Sequence, residues 1–154
     1  MNKLIIGCDP DSDKSGFAFV VGGDLVRLEC LSLVDVFIEF ESLSEQFDNV
    51  ELHIENVNGI SAAFNARDKK SPLSVKLKMA QHVGMCKQAQ IEIERIAEHF
   101  VVKVVRHPVS KMWKDSKTGK AALKETFNYD GQSNEDTRSA AWFAYVGLRA
   151  TIQK

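Results

Sequence analysis

The chain has 154 residues, 44% of them hydrophobic and 27% charged, which suits one globular domain spanning 1–154 and excludes a disordered class. Its formal net charge of -1 offers no overall attraction to nucleic acid, so any such binding must come from local basic patches. Cys8, Cys30 and Cys86 lie far apart without C-x-x-C spacing and read as buried free thiols in a reducing compartment, with neither disulfide nor zinc. No apolar run approaches the roughly 18 residues of a bilayer span, and the first residues hold too short an apolar core for a signal peptide. A cytoplasmic protein with no membrane partner is expected.

In chain order, the apolar run Leu4 to Cys8 delivers Asp9, a polar turn follows, and Phe17 to Val21 returns as the second arm of a β-hairpin. Gly22-Gly23-Asp24 supplies a second turn, and Leu25 to Leu33 reads as a third strand. Val36, Phe37, Phe40, Leu43 and Phe47 follow helical spacing, which predicts a helix from Val34 to Phe47. Val50 to Ile54 then alternates as a strand that ends, like the first, in a carboxylate, Glu55. The segment from Asn56 to Pro72 reads as a long loop with a basic tip at Arg67, Lys69 and Lys70. A long helix is predicted from Ser74 to His99, with Met79, Val83, Cys86, Ile93, Ala97 and Phe100 on one stripe; Met79 and Met85 read as core. Val101 to Val105 is a short β-branched strand stopped by His107-Pro108. Ser110 to Asp130 is lysine-rich, with Trp113 and Phe127 interleaved, and the last helix runs from about Asn134 to Thr151. The order of three strands, helix, strand, helix, strand, helix implies an α/β fold with a mixed sheet.

Core strands seldom end in acids, because burying a carboxylate without a partner costs on the order of several kcal/mol in lost hydration. Parallel neighbours lie about 4.8 Å apart, so if the first and fourth strands pair in parallel, Asp9 and Glu55 end side by side. Converging carboxylates raise one another's pKa unless a cation neutralises them, and oxygen ligands favour Mg²⁺, or Mn²⁺, over zinc. One or two such ions would serve phosphodiester hydrolysis. His53, His82, His99 and His107 show no ligand spacing and read as packing or surface residues.

The pattern G-C-D-P-D-x-x-x-S-G-F-A-F resembles the first motif of the RuvC-type Holliday-junction resolvases, usually G-I-D-P-G followed by a T-G pair. I-E-N-V, a loop and K-M-A-Q-H-V-G-M resemble the family's second acidic strand, junction-contacting loop and long helix. H-P-V-S-K-M-W-K, A-A-L-K-E and N-E-D-T-R-S-A-A follow in the family's order. The resemblance implies an RNase H-like mixed five-stranded sheet flanked by helices, and a metal-dependent endonuclease acting on four-way DNA junctions as a homodimer. The interface would lie along the long helix.

Carried over position by position, the resemblance implies metal ligation by Asp9, Glu55 and Asp136. Ser139 falls at the family's fourth acidic position, where Glu135 would compensate, and Asp11 stands where glycine is usual. Lys111 and Lys124 fall on lysines the family uses near the scissile phosphate, with Lys124 the choice for stabilising charge there. Lys114 and Lys120 extend a basic face toward DNA, and Phe64 with Arg67, Lys69 and Lys70 would wedge into and hold a junction. Two alternatives stay open: a related nuclease for other branched DNA or RNA, and a module that binds branched nucleic acid without cutting.

Overall fold

The computed structural model describes residues 3–60 and 70–153. Five strands, β1 (Lys3–Asp9), β2 (Ser15–Val21), β3 (Asp24–Leu31), β4 (Asn49–Glu55) and β5 (Lys103–His107), form one mixed sheet in the order β3-β2-β1-β4-β5. The two hairpin pairings are antiparallel, whereas β1–β4 and β4–β5 are parallel and reached through helical crossovers. Helices α1 (Leu33–Gln46), α2 (Leu73–His99), α3 (Ser116–Phe127) and α4 (Glu135–Ile152) complete the α/β fold. Among the described residues, no helix is long and apolar enough to cross a membrane.

The pleat of β1 and β4 sorts the core. Leu4, Ile6, Cys8, Leu52 and Ile54 face the layer made by α1 and α2, packing with Phe40, Ile93 and Ala97. Ile5 faces the opposite layer with Leu123, Ala140 and Ala144, and Gly7 and Asp9 share that side. Gly7 is required there: a Cβ would collide with the backbone carbonyl of Ala140, so α4 lies almost on the strand. Gly16 serves the same purpose on the neighbouring β2, because a Cβ would strike the backbone of Asp136 and push away the start of α4.

Four expectations require correction. The third strand stops at Leu31, because Ser32 and Asp35 form a capping box that starts α1. The last strand starts at Lys103, since Val101 stands at φ 60 and is almost fully exposed. The lysine-rich segment contains a helix, α3: Asp115 accepts from the amide of Thr118 at its start, and Asn128 closes it in the left-handed conformation. Its buried positions are Gly119 and Leu123, so the stripe is too thin in apolar residues to stand out. Met79 and Met85 are about half exposed rather than core, because among the described residues the buried positions of α2 begin at Cys86.

A carboxylate cleft at the strand ends

The β1–β4 register pairs Cys8 with Ile54, so Asp9 and Glu55 follow as the next residues of adjacent parallel strands. Both are only 4% exposed. Asp136 comes from the first turn of α4, which Asn134 caps by accepting from the amide of Thr137. The three acids line one cleft of about 530 Å³, together with Glu135, Asp11 and Lys114.

The cleft is short of positive charge. Lys114 Nζ stands 3.2 Å from Asp9 Oδ2, yet that buried oxygen carries no well-formed hydrogen bond. The amide of Ser110 donates to Glu55 Oε1 at 3.2 Å. Burial, then the charge of Asp9, pushes Glu55 up to about 7, and burial with Asp9 and Asp11 pushes Asp136 up to about 6. Burial pulls the Lys114 ammonium down, but Asp9 and Glu55 outweigh it and hold its pKa above the usual lysine value. Several buried carboxylates facing one lysine are a donor set that a hard divalent cation satisfies.

Lys114 is held by the helix that carries Asp136. Arg138, buried two residues further along α4, donates through Nε to Trp113 O at 3.2 Å and through Nη2 to Lys114 O at 2.8 Å. Trp113, at φ 63, packs its ring near Trp142 and Tyr145, with centroids 5.5 Å away in each case, and against Phe127. The aromatics interleaved among the lysines are therefore partly buried against other aromatics of the protein.

The remaining sequence candidates are scattered. Lys124 is exposed, pairs with Asp130 at 3.2 Å and does not line the cleft. Lys111 and Lys120 are exposed, as is Lys70 just ahead of α2. Ser139 is fully buried, its Oγ lacks a hydrogen-bond partner, and it too is absent from the cleft lining. Phe64, Arg67 and Lys69 lie outside the described residues. Of the thiols, Cys8 and Cys86 are buried and Cys30 is partly exposed; all three are free.

The histidine reading misses two groupings. His53 is buried, its Nδ1 lying 2.8 Å from His107 Nε2. His82 and Cys86 stand four residues apart on α2, a spacing visible in the sequence, and meet Asp11 at the cleft wall.

No family model matches the chain, and no curated protein matches it in sequence. The arrangement of sheet and helices is nonetheless an RNase H-like fold similar to that of solved RuvC structures. The Thermus thermophilus RuvC structure matches with TM-score 0.60 at 12% identity, covering 97% of this chain and 96% of that one. T. thermophilus RuvC in complex with Holliday junction substrate matches with TM-score 0.59 at 13% identity, over 97% and 96% of the two chains.

Proposed function

We propose that this chain is a metal-dependent, structure-selective endonuclease that cuts four-way DNA junctions. One observation carries the reading: on a RuvC-type fold, the ends of β1 and β4 and the start of α4 bring Asp9, Glu55 and Asp136 to one cleft where their charges outnumber that of Lys114. Asp9, Glu55 and Asp136, with Glu135 at the rim, are the residues to hold Mg²⁺ or Mn²⁺, one ion or two. Bound there, such an ion supplies an activated water and stabilises charge on the phosphoryl and leaving oxygens.

The chain's own groups do the rest. Lys114 offers a fixed positive charge beside Asp9, where a phosphate oxygen can meet it, and so takes the role that the sequence resemblance assigns to Lys124. Glu55, whose carboxyl burial and Asp9 push up to about 7 while no cation is bound, gives up its proton when it takes the metal. Lys111, Lys120 and Lys70 are exposed and free to meet the DNA backbone. Cutting two strands of one junction calls for paired sites. The exposed apolar residues Val75 and Met79, one turn apart on α2, fit a homodimer interface.

The test is cleavage of a labelled synthetic four-way junction beside a linear duplex of the same sequence, with Mg²⁺ and with a chelator. Paired nicks confined to the junction and abolished by chelation are expected. Tight junction binding without metal-dependent cutting would favour a recognition module, a reading to which the uncharged, buried Ser139 lends its weight.

A further inference from the structure

We propose that Asp11, His82 and Cys86 form a second metal site, chemically distinct from the carboxylates, that takes a borderline-soft divalent ion of the zinc type. His82 and Cys86 lie one turn apart on one face of α2, and Asp11 reaches them from the turn between β1 and β2. Cys86 Sγ is 3.6 Å from His82 Nε2 and 3.7 Å from Asp11 Oδ1, and His82 Nε2 is 3.8 Å from the same Asp11 oxygen.

These spacings are close to the edges of a coordination tetrahedron. With metal–sulfur bonds of about 2.3 Å and metal–nitrogen and metal–oxygen bonds of about 2.0–2.1 Å, the edges to sulfur come to about 3.5 Å and the nitrogen–oxygen edge to about 3.3 Å. The three atoms therefore need to close by no more than about half an ångström to bind at ideal distances. Donor type separates this site from its neighbour: thiolate and imidazole select zinc-like ions, whereas the all-oxygen set selects Mg²⁺ or Mn²⁺.

Among the described residues no further Cys, His or acid joins the trio, so three protein ligands leave one position for water or a substrate oxygen. The trio lines the same cleft as Asp9, Glu55 and Asp136, the cleft that holds the substrate in the nuclease reading on which this placement rests. Binding replaces the thiol proton of Cys86, released to solvent, by the metal. It also ties α2 to the turn that follows Asp9.

Titrating the intact protein with Co²⁺ and reading visible and near-ultraviolet absorption tests the site. One equivalent is expected to give tetrahedral cobalt bands with a thiolate-to-cobalt charge-transfer band, bleached by Zn²⁺. The charge-transfer band disappears in Cys86→Ser, and His82→Ala, changing a largely exposed side chain, weakens binding at least about tenfold. Glu55→Gln retains the band, which separates this site from the carboxylate cluster, and a wild type that shows the band but does not cut junctions would count against the nuclease reading alone. Absence of a charge-transfer band in the wild type, or its persistence in Cys86→Ser, overturns the proposal.

Discussion

Glu51 and Glu55 project from the same face of β4, both buried, but into opposite surroundings. Glu51 meets Lys3 and Lys103 at 3.0 Å each and His53 at 3.3 Å. Burial opposes its charge, yet the hydrogen bonds from Lys103, Lys3 and His53 win and hold its pKa down at about 2. Glu55, further along the same strand, has burial and Asp9 driving it the other way, to about 7. A buried acid with its cations in place fastens β1, β4 and β5 together. One left among other acids stores a demand for a cation, and such frustrated groups gather at functional sites.

The largest effect expected from breaking the frustrated end is on cleavage. Asp9→Asn is expected to cut junctions at least about 100-fold more slowly while still binding them, since even outer partners of metal ligands cost about 10–100-fold. Gel assays of cutting and binding on the same junction read both quantities.

At the satisfied end, Glu51→Gln is expected to lose about 1–3 kcal/mol of stability at pH 7, below the cost of breaking a fully buried pair because Lys103 is largely exposed. The lowered pKa of Glu51 makes its contribution complete above the ordinary carboxylate value of 4.5 and lost as pH falls through about 2. Denaturant unfolding of wild type and variant across acid pH checks the sign, because the difference between them shrinks toward pH 2.

Glu55→Gln should move stability the other way. The raised pKa means that folding favours the protonated acid, a stabilisation complete below pH 4.5 and lost as pH rises through about 7. Removing the charge is therefore expected to stabilise the metal-free protein by about 1–3 kcal/mol at pH 7, with the difference fading toward pH 4. A variant less stable than wild type at neutral pH would show that Glu55 is satisfied like Glu51.

The smallest effect concerns the two lysines. Lys124→Ala removes an exposed ion pair with the exposed Asp130 and is expected to change stability by less than about 0.5 kcal/mol, with cutting little altered. Lys114→Ala removes the cation beside Asp9 and should slow cutting far more. Equal effects of the two on single-turnover rates would restore Lys124 to the site.

The strands, the mixed sheet and the facing of Asp9 toward Glu55 were legible because alternation and run length survive in sequence, and both runs end in an acid. The helix α3 was not, because Gly119 and Leu123 give too thin an apolar stripe and its caps, Asp115 and Asn128, are common loop residues. The place of Lys114 was hidden for a different reason. It depends on Arg138 gripping the carbonyls of Trp113 and Lys114 from another element, a tertiary contact without sequence periodicity. The meeting of Asp11 with His82 and Cys86 joins residues from the first turn and the middle of α2, and only the i, i+4 half of it could be read.

The most direct test of the central claim is thermal unfolding at pH 7 of wild type and Glu55→Gln, each with and without Mg²⁺. A ligand that binds only the folded state raises its stability in proportion to the logarithm of one plus the ratio of its free concentration to its dissociation constant. Mg²⁺ is expected to raise the melting temperature of the wild type and to have much less effect on the variant. Equal responses of the two proteins, or none in the wild type, would contradict the assignment of the carboxylate cleft as a metal site.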